Sequence, residues 1–207
     1  MTYRAVIFDL DGVLLDAREW HYEALNRALG LFGYSIERSH HLSEFDGLPT
    51  KEKLDRLTER GSFPAHLHPV IQALKQRYTM EYLHSRCMPT FAHEYALAHL
   101  QREGFVIAVA SNSVRATVDA ALTLTGLAEY VTCALSNEDV ARAKPDPEIY
   151  LTAMAKLGVD PHETVIVEDN ENGVQAAVAS GATVVRVAGP DEVSYERIQV
   201  AMAGGNR

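Results

Sequence analysis

The chain has 207 residues, 47% of them hydrophobic and 23% charged. That suits one globular domain or a core with a modest insertion, and it excludes intrinsic disorder. With 19 basic against 28 acidic residues the formal charge is −9, which lacks the basic footprint of a nucleic-acid binder, and no run approaches the roughly 18 apolar residues of a membrane span.

Tyr3–Phe8 (YRAVIF) is an apolar run rich in β-formers, and Asp9 ends it. Aspartates arrive here too early for the apolar region of a signal peptide. Similar runs follow at Phe105–Ala110, Val131–Leu135, Thr164–Val167 and Thr183–Val187. Unbroken rather than alternating apolarity predicts parallel strands covered on both faces.

Helical patterns lie between these runs. Arg18–Phe32 carries Trp20, Ala24, Leu25, Ala28, Leu29 and Phe32 on one stripe. Thr50–Arg60 reads as a helix capped by Thr50 and stopped by Gly61, and Pro69–Ser85 as a third. Ser113–Thr125 ends at Gly126, the helix opened by Asp146-Pro147 runs to Gly158, and Asn172–Ser180 is closed by Gly181. Strands alternating with helices predict a doubly wound α/β domain. The long helical stretch between the first two strands breaks that alternation. It predicts a core of residues 1–15 and 86–207 interrupted by an α-helical cap at 16–85. The cap is close to neutral, so the core carries most of the negative charge. Cys87 and Cys133 form no CxxC pair, and two buried thiols in a reducing cytoplasm are expected.

The chemistry gathers at strand ends, where open α/β sheets bind ligands. Asp9-Leu10-Asp11-Gly12-Val13 follows the first strand and Glu168-Asp169 closes the fourth. Carboxylates converging at one sheet edge repel unless a cation joins them, and hard oxygen donors fit Mg²⁺. Ser111-Asn112-Ser113 follows the second strand and leads into a helix, offering a hydroxyl and free N–H groups to an anion. Lys144-Pro145 brings a point charge to the same edge.

In this order the set resembles the haloacid-dehalogenase-like hydrolase superfamily over essentially the whole chain. Asp9–Val13 matches its DxDG(V/T) motif, Ser111 its second motif, Lys144-Pro145 its third, and Glu168-Asp169 with Gly173 its fourth. The insertion resembles the small helical cap of the β-phosphoglucomutase-like branch. The resemblance implies a Rossmann-like core and a soluble, cytoplasmic, Mg²⁺-dependent phosphatase of a small phosphorylated metabolite such as a sugar phosphate. Asp9 would be the nucleophile and Asp11 the acid and base. Asp9, the Asp11 carbonyl and Asp169 would hold the metal, with Glu168 as a further contributor. Ser111, the Asn112 backbone and Lys144 would hold the phosphate. In the cap, His21, Gly47, Thr50, Lys51 and Arg77 stand where the branch meets its substrate. Lys51 and Arg77 exchange the branch's arginine and lysine, which weakens the case for second-phosphate recognition and hence for a mutase.

A phosphosugar mutase shares every core residue with the phosphatase. A receiver-like signalling module or a phosphate-binding protein without turnover is the alternative from another class, although a receiver carries its phosphoacceptor on a later strand than its acidic pair. Asp11 argues against a dehalogenase, because a halide leaves without a proton whereas an alkoxide does not. A phosphonatase would need a cap lysine as Schiff base, with Lys51 and Lys53 the candidates. The sequence leaves the oligomeric state open and is compatible with a monomer.

Overall fold

A computed structural model describes residues 3–61 and 63–204. Five parallel strands, β1 (Ala5–Phe8), β2 (Val106–Ala110), β3 (Cys133–Leu135), β4 (Thr164–Glu168) and β5 (Thr183–Arg186), form one sheet in the order β3-β2-β1-β4-β5. The order reverses at β1, whose neighbours are β2 and β4. Ile7 pairs with Ala108 on one side and Ile166 on the other. All four residues of β1 are buried, as an apolar strand covered on both faces requires.

Strand β3 is shorter than the apolar run suggests. Val131 and Thr132 precede it, and the Thr132 N–H already donates to Ile107 O at 2.8 Å. The helices of this unit are α5 (Phe91–Arg102), α6 (Arg115–Leu124), α7 (Glu148–Leu157), α8 (Glu171–Ala179) and α9 (Tyr195–Gly204). Neither α5 nor α9 stood out individually in the sequence. Helix α7 starts where Asp146 Oδ1 accepts from the Glu148 N–H at 3.0 Å, and α8 where Asn170 Oδ1 accepts from the Gly173 N–H at 3.0 Å. Tyr150, Ile149, Ala153 and Met154 of α7 pack with Ile7, Ala108, Ala110, Leu135 and Ile166 of the sheet.

The chain divides into two compact units, with boundaries at Asp16/Ala17 and Cys87/Met88. The inserted unit, 17–87, contains α1 (Arg18–Gly30), the single turn α2 (Arg38–His40) running into a π-helical turn at His41–Phe45, α3 (Thr50–Glu59) and α4 (His68–Arg86). Ala24, Leu25, Ala28 and Leu29 of α1 meet Ile36, Phe45, Leu54, Leu57, Ile71 and Tyr78 in its core. Two expectations need correction. Helix α1 ends at Gly30, so Phe32 falls beyond it and is exposed rather than core. Thr50 is the first helical residue of α3, not its cap. Pro49 takes the extended cap conformation, and its carbonyl accepts the first helical bond, from Lys53 N–H at 3.2 Å. Cys87 and Cys133 are free thiols, Cys87 buried as expected and Cys133 only half-buried. Among the described residues no helix is long and apolar enough to cross a membrane.

Candidate active site

Asp9 follows the last residue of β1, and its N–H continues the ladder by donating to Val167 O at 3.0 Å. The chain then turns sharply. Leu14 N–H donates to Leu10 O at 2.9 Å and Gly12 N–H to Leu15 O at 2.6 Å. Gly12 has φ +94°, a conformation L side chains rarely adopt, and a Cβ there would lie 2.1 Å from Asp169 Oδ2. Glycine thus lets the DxDG turn approach the Asp169 carboxylate.

The two neighbouring strands supply the rest. From the end of β4 come Glu168 and Asp169, both buried. Oxygens of Asp9, Glu168 and Asp169 lie within 4.8 Å of one another. From the end of β2 come Ser111, buried, and Ser113. Lys144 comes from the loop before α7, and its ammonium donates three hydrogen bonds: to Asp9 Oδ1 at 2.7 Å, Glu168 Oε1 at 2.7 Å and Ala110 O at 2.8 Å. The Lys144-Pro145 peptide is cis.

The electrostatics follow from this crowding. Burial first, then the Glu168 charge, push the Asp9 carboxyl well above its ordinary value, and Asp169 and Asp11 add to the push while Lys144 opposes it. Lys144 stays protonated. Burial works against its charge, but Asp9 and Glu168 more than offset that and raise it. Glu168 is fully hydrogen-bonded within the protein. Oε1 accepts from Lys144 and from the Tyr150 hydroxyl at 2.5 Å, and Oε2 accepts from the Asp169 N–H at 3.0 Å and Asn170 Nδ2 at 3.4 Å.

One side chain departs from its expected part, and its neighbours bond within the site. The sequence pattern starts a helix at Ser113, but α6 begins at Arg115, and the Ser113 hydroxyl instead donates to Asp11 Oδ2 at 2.6 Å. Ser111 Oγ approaches the same oxygen at 3.5 Å and accepts the Ser113 N–H at 3.0 Å. Asn112 clamps the Lys144 backbone with its side-chain amide, donating to Lys144 O at 3.3 Å and accepting from Lys144 N–H at 3.1 Å. The S-x-S spacing at a strand end was the available signal for Ser113. Tyr150 had no signal beyond its place on an apolar helix face. Arg115 binds Ala134 O at 3.0 Å and pairs with Asp139, so it is engaged structurally.

The cap residues named from the sequence lie in the inserted unit. His21 Nδ1 accepts from the Lys75 ammonium at 3.0 Å. Gly47 has φ +72° in the turn before α3. Lys51 and Arg77 are exposed and pair along their own helices, with Asp55 at 3.2 Å and Glu81 at 3.3 Å. Buried Lys53 instead lies 3.4 Å from His41 Nε2. Lys75 carries no signal in the sequence, because a basic residue on a helix reads as solvated, and His40-His41 shows no metal-site cluster pattern there.

The donor set suits a small hard cation. Three buried carboxylates repel one another, all donors are oxygen, and the cradle beside Asp169 stays open only because residue 12 lacks a Cβ. Comparison with known proteins agrees with the motifs. Residues 6–187 match the family model described as haloacid dehalogenase-like hydrolase. The phosphoglycolate phosphatase (plasmid) of Cupriavidus necator is 33% identical over 189 residues, covering 88% of this chain and 80% of that protein. The phosphorylated carbohydrates phosphatase of Thermotoga maritima is 30% identical over 183 residues, covering 86% and 81%. The β-phosphoglucomutase structure from Clostridium difficile superposes with a TM-score of 0.85 at 22% identity, covering 98% of each chain, a likeness of fold.

Proposed function

Because this chain belongs to the haloacid dehalogenase-like hydrolase family, we propose that it is a Mg²⁺-dependent phosphatase of a small phosphomonoester, a sugar phosphate or similar metabolite, working through an aspartyl-phosphate on Asp9. The observation that carries this reading is the buried Lys144 ammonium between Asp9 and Glu168, beside an Asp11 that two serine hydroxyls approach. The named relatives act on phosphorylated small molecules, which supports the substrate class.

One Asp9 carboxylate oxygen attacks phosphorus as the ester P–O bond breaks. Asp11 gives its proton to the leaving alkoxide, then takes one from the water that hydrolyses the acyl phosphate and regenerates Asp9. Ser111 and the Asn112 N–H hold the phosphate oxygens, Lys144 adds its positive charge beside them while its three donors stay on Asp9, Glu168 and Ala110, and Asn112 also fixes the Lys144 backbone through its amide. Asp9, the Asp11 carbonyl and Asp169 would hold Mg²⁺, which supplies charge screening between nucleophile and phosphate. Glu168 has both oxygens engaged by protein donors, so its part is to fix Lys144 rather than to lead the metal set. His21, Gly47, Thr50, Lys51 and Arg77 remain the cap positions proposed to meet the substrate.

A panel of phosphomonoesters, assayed with Mg²⁺ and with chelator, tests the proposal. Phosphate release should need Mg²⁺ and vanish in Asp9→Asn. Isomerised sugar phosphate without free phosphate would replace hydrolysis with mutase chemistry, and binding without release would leave a non-catalytic protein.

A further inference from the structure

Tyr150 has no role in the reaction above, yet it reaches its chemistry from beneath. The residue is completely buried on α7, and its ring packs in the sheet core. A phenylalanine would fill that space equally well. The hydroxyl therefore exists for its bond, since a buried hydroxyl without a partner is destabilising. That bond goes to Glu168 Oε1 at 2.5 Å, the same oxygen that accepts from Lys144. The Lys144 ammonium also stands 4.8 Å from the centre of the Tyr150 ring.

The geometry points to Tyr150 as a positioning residue that holds Glu168 against Lys144 and, through Lys144, sets the orientation of the Asp9 carboxylate. The chain of contact is continuous: Tyr150 hydroxyl, Glu168 Oε1, Lys144 Nζ, Asp9 Oδ1. Lys144 has all three of its donors in use, so its direction is fixed only while Glu168 stays in place. Gly173 serves the same end, because a Cβ there would lie 1.9 Å from Glu168 Oε1. This inference rests on the phosphatase reading for its kinetic consequence but not for its geometry.

The test is a cycle of Tyr150→Phe, Glu168→Gln and the double variant in the full-length protein. With p-nitrophenyl phosphate and Mg²⁺, Tyr150→Phe should lower kcat about tenfold, with KM within about twofold. The double variant should be no slower than Glu168→Gln alone, because Tyr150 acts only through Glu168. Losses that multiply, or a Tyr150→Phe enzyme with parental kcat, would overturn the proposal. Should the parent release phosphate from no ester, the phosphatase reading fails separately. Mg²⁺ affinity by calorimetry then decides, with weaker binding in Tyr150→Phe and no further loss in the double variant expected, and additive losses or unchanged affinity fatal.

Discussion

Lys144 donates to Asp9 at 2.7 Å from a position where both side chains are almost wholly shielded from water. A second carboxylate, Glu168, stands at the same distance from the same ammonium. Removing one member of a buried ionic group leaves the others uncompensated, typically at about 3–5 kcal/mol. Lys144→Met should therefore unfold at markedly lower denaturant in Mg²⁺-free buffer and recover part of the loss when Mg²⁺ is added. Turnover should fall about 100–1000-fold. A parental denaturation midpoint would show that the carboxylates do not depend on this lysine.

Asp9 presents the opposite balance. Its carboxyl is raised above the ordinary value by burial and by Glu168, so the folded chain holds this proton to higher pH than the unfolded chain does. Stability from this group is thus present at low pH and lost as pH rises through the folded value. Asp9→Asn removes that term. At pH 7 without Mg²⁺ it should be inactive yet melt no lower than the parent. A large drop in Tm would mean that the Lys144 bond outweighs the repulsion.

His41 in the inserted unit predicts a different pH response. Burial first, then the charges of Lys53, His21 and Lys75, lower it to about 3, and the Tyr22 ring packs edge-on against it. Its folded value lies below the ordinary 6.5, so the unfolded chain binds this proton more readily. The contribution is complete above about pH 6.5 and is lost as pH falls toward 3. Between pH 6.5 and 5 the slope from this residue should approach 1.4 kcal/mol per pH unit. Chemical denaturation of the parent and His41→Gln across that range checks it. Equal slopes would count against a buried neutral imidazole.

Glycine substitutions should separate the site from the surface. A Cβ at Gly12 or Gly173 would meet Asp169 or Glu168 within 2.1 Å, whereas one at Gly30 meets nothing within 4 Å. Gly12→Ala and Gly173→Ala should each abolish turnover, while Gly30→Ala, at the end of α1, should be neutral or stabilising by up to about 1 kcal/mol. Assays and melting curves of the three variants together are decisive.

Most of the fold was legible because buried parallel strands announce themselves as unbroken apolar runs ended by charge. The acidic pairs and Lys144 were legible for the same reason, since each ends or follows such a run. Tyr150 was not, because a tyrosine on an apolar helix face looks like ordinary packing until the partner of its hydroxyl is seen. Ser113 falls outside the helix expected to start there, because α6 begins at Arg115 and the Ser113 hydroxyl is claimed by Asp11, 102 residues away. Thr50 was misread because Pro49 already takes the cap conformation. Lys53 and His41 show the limit of residue type as a guide, since a lysine on a charged helix can still be buried.

The position of β1 bears on how the molecule comes into being. This strand is made before both of its partners, which lie about a hundred and about a hundred and sixty residues downstream. Ala5–Phe8 must therefore wait as an apolar segment until β4 is made before both its edges are covered, a period in which nascent chains are most open to misassociation. Because the ends of β2 and β4 supply the serines and the acidic pair, the same delay means that no partly made chain carries a working site. Appearance of activity would thus report completion of the sheet, and a truncation anywhere before β4 would leave a product both silent and prone to aggregate.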